Sequence, residues 1–172
     1  MQVPFLDLKA INARHGAELK AAAARVIDSG WYVLGDEVKA FETEFAAWAG
    51  SPHCVGTSDG LSALILALRG WKELGLLKDG DGVAVPANTY IASILAITEN
   101  RLRPVLVEPE EDTFNLGAGK LTDALTPDVK AVLAVHLYGQ LADMRRSRSS
   151  AANAGCSCSR TPPRPTAPTS VA

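Results

Sequence analysis

Three short stretches of this chain set polar and aromatic residues where an apolar run ends. The first is Val55-Gly56-Thr57-Ser58-Asp59-Gly60, which leads into a helical pattern. The free N–H groups of a first helical turn, with the helix dipole, suit an anion. Gly60 has no side chain to hold the backbone away from a ligand, and Thr57 and Ser58 add hydroxyl groups. That is the chemistry of a phosphate cup. It is not a P-loop, because no Gly-Lys-Ser/Thr follows, and it is not the dinucleotide fingerprint. A capped helix after a strand accounts for the same residues without a ligand. The second stretch is Val85-Pro86-Ala87-Asn88-Thr89-Tyr90. Tyr90 suits stacking on a planar ring, or half-buried packing. The third is Val135-His136-Leu137-Tyr138-Gly139, where His136 is either a ligand's hydrogen-bond partner or a satisfied core histidine. Trp31 and Tyr32, in a loop bounded by Gly30 and Gly35, suit a substrate pocket or plain packing. His15 and His53 sit in no motif. Cys156 and Cys158 lack the usual two-residue spacer and a second pair, so no metal site is expected. Three cysteines give no disulfide framework.

These stretches need elements to hold them. Leu19, Ala22, Val26 and Ile27 recur at helical spacing over 12–29, and Gly30 stops the run. Asp36 is placed to cap a second helix, ended by Gly50, with Val38, Phe41, Phe45 and Trp48 on one stripe that reads as core. A short strand is expected at Cys54-Val55-Gly56, then a helix carrying Leu61, Leu64, Ile65 and Leu68. Asp79 to Gly82 reads as a turn before a strand at Val83-Ala84-Val85, stopped by Pro86. A helix over 89–98, a strand at 104–107, a short helix around 120–125 and a strand at 131–135 follow. Short apolar runs alternating with amphipathic helices predict an α/β fold, a mostly parallel sheet with helices on both faces. Ligands of such sheets bind at the carboxyl ends of strands, where the second and third stretches lie.

A chain of 172 residues is one domain by length, and its 47% hydrophobic content is ordinary for a soluble globular protein. The net charge of -2 hides an asymmetry. Five arginines lie after Met144, leaving residues 1–144 at -7. An acidic body argues against nucleic-acid binding. No signal-peptide pattern opens the chain, and no apolar run approaches the length that crosses a bilayer. The expected location is the cytoplasm, away from membranes.

Residues 145–172 break the pattern. They hold Arg145, Arg146, Arg148, Arg160 and Arg164, no Asp, Glu or Lys, and Val171 as the single large aliphatic residue. Such a stretch buries too little apolar surface to offset its ordering entropy, so a disordered tail is expected. Reading frame supplies a reason. With one base lost at the Met144 codon, each tail codon in the restored frame takes its first letter from a free wobble position. Gly155-Cys156-Ser157-Cys158-Ser159 then becomes an apolar run, provided its serines use TCN codons. An acidic residue follows that run.

The stretches together resemble the DegT/DnrJ sugar aminotransferases. The match runs through Val3-Pro4-Phe5-Leu6-Asp7-Leu8 and Ser29-Gly30-Trp31-Tyr32-Val33-Leu34-Gly35. It continues through Phe41-Glu42-Thr43-Glu44-Phe45-Ala46, Gly56 to Leu64, Pro86 to Tyr90 and His136-Leu137-Tyr138-Gly139-Gln140. It covers residues 3–144, under half of a typical family member. The resemblance implies part of the large domain of an aspartate-aminotransferase-like (fold type I) enzyme, with pyridoxal phosphate as cofactor. It implies that the amides of Asp59 and Gly60, with Ser58, hold the cofactor phosphate. It implies that Tyr90 stacks on the pyridine ring and that Trp31 and Tyr32 lie near a sugar-nucleotide pocket. A keto-sugar nucleotide as acceptor, glutamate as donor and a homodimer are implied for the full-length enzyme. The family's Schiff-base lysine lies beyond this region, and no lysine here stands in a matching Lys-Asn context. The aspartate that faces the ring nitrogen is also missing as written. The expected chain is thus an N-terminal fragment without catalytic residues of its own. A non-enzymatic phosphate- or nucleotide-binding α/β domain, and a non-functional truncated product, are the competing readings.

Overall fold

The computed structural model describes residues 5–160. The chain divides into two compact units, one up to Gly56 and one from Thr57 onward.

The first unit is helical. Asp7 caps α1 (Leu8–Ala13) by accepting a hydrogen bond from the Ala10 amide at 2.9 Å. The chain turns at Arg14 and His15, and α2 follows at Gly16–Ser29. The single helix expected over 12–29 is therefore interrupted at its start. Gly30 ends α2 in the left-handed conformation at φ 66°, where a residue without Cβ pays no steric cost. The third helix, α3, is Asp36–Ala49, with Gly35 rather than Asp36 at the capping position.

Two expectations are corrected in this unit. Cys54-Val55-Gly56 forms no strand. A strand is held by a neighbour's ladder, and no described strand pairs there. The α3 stripe is not core: Phe41, Phe45 and Trp48 are exposed, and only Ala46 of the helix is buried. The three rings stack along the helix instead, with centroids 5.5 and 5.4 Å apart.

The second unit holds one four-stranded parallel sheet in the order β2-β1-β3-β4. Helix α4 (Gly60–Glu73) leads to β1 (Gly82–Pro86), α5 (Ile91–Glu99), β2 (Arg103–Val107), α6 (Ala118–Ala124) and β3 (Val129–Ala134). Helix α7 (Met144–Asn153) and β4 (Ser157–Arg160) follow. The two-residue side-chain period of a strand sorts the core. Val83 and Val85 of β1 join Ala131 and Leu133 of β3 under α4 and α5. Ala84, Val132 and Ala134 face the opposite cluster, with Leu121 of α6 and Ala151 of α7.

Where a disordered tail is expected, the described residues form α7 and β4. Asp143 accepts a hydrogen bond from the Arg146 amide at 3.0 Å and starts α7. β3 then supplies the ladder that β4 needs, pairing Ala131 with Ser157 through Ala134 with Arg160. The rest of the expected disordered tail, residues 161–172, lies outside the described residues.

The order of strands fixes where a ligand fits. From β1 the chain crosses to β2 on one side, then returns to β3 on the other. The β1–β3 junction is thus a switch point, and the crevice outside its carboxyl end is where open α/β sheets bind ligands.

Candidate active site

The chain after β1 carries Ala87 to Tyr90, and the chain after β3 carries Val135 to Asp143. Both leave from the switch point. Tyr90 takes an extended conformation before α5 and is 78% exposed, available to a ligand. Behind it, the Thr89 and Ser93 hydroxyls are hydrogen-bonded at 2.9 Å. His136 is half-buried, and its Nδ1 accepts from the Ala142 amide at 3.0 Å. One ring nitrogen of His136 therefore serves its own loop.

The first turn of α4 is held by its own side chains. Asp59 Oδ1 accepts from the Ser62 amide at 2.8 Å. The Ser58 hydroxyl donates to Asp59 Oδ2 at 3.0 Å and lies 3.1 Å from the Ser62 hydroxyl. The Ser62 amide bond, then the Ser58 and Ser62 hydroxyls, hold the Asp59 carboxyl below its ordinary range. The amides of Asp59 and Gly60 meet no protein acceptor among the described residues. A Cβ built on Gly60 would meet nothing within 4 Å. Protein packing therefore does not require glycine there, and the space in front of its backbone is open. Two unengaged amides, an open approach and nearby hydroxyls fit a phosphate.

Trp31 and Tyr32 belong to the first unit. They line a cavity of about 530 Å³ between the end of α2 and the start of α3. Trp31 Nε1 donates to the Val33 carbonyl at 2.7 Å. A Cβ on Gly35 would lie 3.2 Å from Trp31 Cδ1 and 3.1 Å from its carbonyl oxygen, so glycine lets the indole fold back on the loop. Arg25 donates from Nε and Nη2 to both oxygens of Glu37, at 2.9 and 3.2 Å, and joins the two helices across the cavity. The same bonds lower the Glu37 carboxyl and raise the Arg25 guanidinium.

The loop between β2 and α6 escaped the sequence reading. Asn88 Nδ2 donates to the Phe114 carbonyl at 3.0 Å, and the Leu137 amide donates to Asn115 Oδ1 at 2.9 Å. Phe114 and Tyr138 meet edge to face at 6.1 Å. A lone Asn in a loop carries no periodic signal, and the contacts span 26 and 22 residues.

The sequence model of the DegT/DnrJ/EryC1/StrS aminotransferase family matches residues 13–158. The chain belongs to this family. It is 50% identical over 142 residues to the dTDP-3-amino-3,6-dideoxy-alpha-D-galactopyranose transaminase of Aneurinibacillus thermoaerophilus, covering 83% of this chain and 38% of that protein. It is 52% identical over 143 residues to the dTDP-3-amino-3,4,6-trideoxy-alpha-D-glucose transaminase of Streptomyces venezuelae, covering 83% of this chain and 37% of that one. The chain thus spans under two fifths of the length of these relatives. The crystal structure of S. venezuelae DesV in complex with a ketimine intermediate superposes with a TM-score of 0.86 at 48% identity, over 93% of this chain and 42% of DesV. The E. coli GDP-4-keto-6-deoxy-D-mannose-3-dehydratase with bound hydrated PLP superposes at 0.77 with 27% identity, over 82% of this chain and 37% of that one. The DegT/DnrJ match reaches 14 residues past Met144, into α7 and β4. The sheet accordingly has the fold-type-I architecture of these neighbours.

Proposed function

We propose that this chain forms the cofactor-phosphate side of a pyridoxal-phosphate-dependent aminotransferase that aminates a keto-sugar nucleotide with glutamate as donor. The observation that carries the reading is the start of α4, with its two unengaged amides and an open Gly60. Bound there, the cofactor supplies an electron sink for moving the amino group. The chain's own residues do the holding. Asp59, Gly60 and Ser58 seat the phosphate, Tyr90 covers one face of the ring, and Trp31 and Tyr32 border the sugar nucleotide. His136 is a further candidate contact. Homodimers in the cytoplasm belong to the same reading. Among the described residues no helix is long and apolar enough to cross a membrane.

The chain as written is proposed to seat the cofactor without anchoring it covalently. Lys72 is tied to Asp79 and the Asn100 carbonyl, Lys120 to the Pro109 carbonyl and Lys39 to Asp36. Reduction with borohydride in the presence of pyridoxal phosphate, followed by peptide mapping, is expected to yield no stoichiometric adduct on any one lysine. A single fully labelled lysine overturns the proposal. Equilibrium dialysis with pyridoxal phosphate, competed by inorganic phosphate, tests the seat itself. A chain that retains no cofactor would favour the truncated-product reading.

A further inference from the structure

The three loops at the carboxyl edge of the sheet are joined through one turn, which carries a buried side chain. Asn115 is 2% exposed, although it lies between β2 and α6 in a loop whose residues 111–114 are exposed. A buried amide side chain is costly unless its hydrogen bonds are made. Its Nδ2 donates to the Thr113 carbonyl at 3.2 Å, within its own turn. Its Oδ1 accepts from the amide of Leu137, the residue between His136 and Tyr138, at 2.9 Å. The backbone of the same turn is fixed from both sides. The Glu110 amide donates to the Asn115 carbonyl at 3.0 Å, and Asn88 holds the Phe114 carbonyl.

Two aromatic residues beside this side chain sit in the left-handed region, Phe114 at φ 57° and Tyr138 at φ 55°. Bulky residues rarely adopt that conformation, and they keep it where surrounding contacts over-determine it. Here those contacts are the Asn115 bond and the Phe114–Tyr138 ring contact.

We propose that Asn115 is the positioning residue of the site: its bond to the Leu137 amide holds the loop carrying His136 and Tyr138 on the β2–α6 turn, which Asn88 ties in turn to the loop carrying Tyr90. The importance of that alignment for cofactor rests on the function proposed above; the alignment itself does not. Two readouts keep them apart. Amide hydrogen exchange on the whole chain reads the alignment, and equilibrium dialysis of pyridoxal phosphate reads its use. Asn115→Ala is expected to speed exchange in residues 135–140 at least tenfold and to weaken cofactor binding at least fivefold. Leu102→Ala, a core truncation just before β2 at the other end of the strands, is the control for general destabilisation. It is expected to leave both readouts near the parent's at a matched distance below each variant's Tm. Asn115→Asp keeps an acceptor for the Leu137 amide and is expected to retain its protection. This variant also decides the matter if the alanine variant does not fold. Unchanged exchange in Asn115→Ala, or loss of Leu137 protection in Asn115→Asp, overturns the proposal. A parent chain that binds no cofactor sinks the function reading while the exchange data still decide the role of Asn115.

Discussion

At the scale of single residues, the start of α4 gives the sharpest tests. Gly60→Val adds a side chain into space that the protein does not fill. It should therefore spare the fold while closing the backbone approach to a phosphate. Cofactor retention, read by dialysis and absorbance, should fall by about 1.5–3 kcal/mol, the range for hydrogen bonds to a charged group. Tyr90→Ala should cost about 0.5–1.5 kcal/mol, as for one aromatic stacking pair. His15→Ala in the first unit should change nothing. If Gly60→Val keeps cofactor as well as His15→Ala does, the phosphate sits elsewhere. Asp59 adds a dependence on acidity. Its folded pKa lies below the unfolded value because of the Ser62 amide first and the Ser58 hydroxyl second. Its stabilising contribution is thus present above the unfolded carboxyl range and fades as pH falls through the lowered value. The difference between urea midpoints at about pH 7 and about pH 3 should shrink in Asp59→Asn, which still caps the helix. An equal difference in the two proteins would remove Asp59 from the acid response.

Among the elements, α7 carries a mismatch between place and chemistry. Ser147 is fully buried, and among the described residues its hydroxyl has no hydrogen-bond partner. A buried hydroxyl left unpaired costs about 1–3 kcal/mol. Ser147→Ala should therefore raise the urea midpoint, the reverse of most core substitutions, and a lower midpoint would contradict the burial. The elements also show what the chain's pattern reveals. Gly30 and Gly50, both at left-handed φ, mark helix ends that a sequence announces locally. The strands of β1 to β3 are apolar runs that need no further context. The exposure of the α3 stripe could not be read this way, because periodicity marks an apolar face and not whether a surface covers it. α7 and β4 were illegible for the opposite reason. Their own residues lack apolar drive, and β3 with the α6 face supplies the template. Of the proposed site, Asp59, Gly60 and Tyr90 are residues whose places beside apolar runs single them out in the sequence. Asn115 is not singled out, since its partner is remote in sequence.

For the whole molecule, the reading-frame proposal gains a structural argument. In the restored frame the codon at position 147 takes its last two letters from the first two of Ser147. If that serine is encoded by TCN, every choice of first letter yields Phe, Leu, Ile or Val, the residue types that a fully buried helix position calls for. The same rule turns the Cys156 codon into Leu, Met or Val, and Cys156 packs against the second core cluster. Sequencing the gene across the Met144 codon should reveal one missing base there. An intact gene whose shifted frame soon meets a stop codon would end the idea. The order of the sheet has one more consequence. β4 lies at its margin, and only β3 pairs with it among the described strands. A strand margin recruits other chains unless it is paired or covered. Inside a cell the lifetime of this polypeptide should therefore be set at β4, by how often it peels away and offers itself to proteases or to a neighbouring copy, well before the buried valines of β1 are ever wetted.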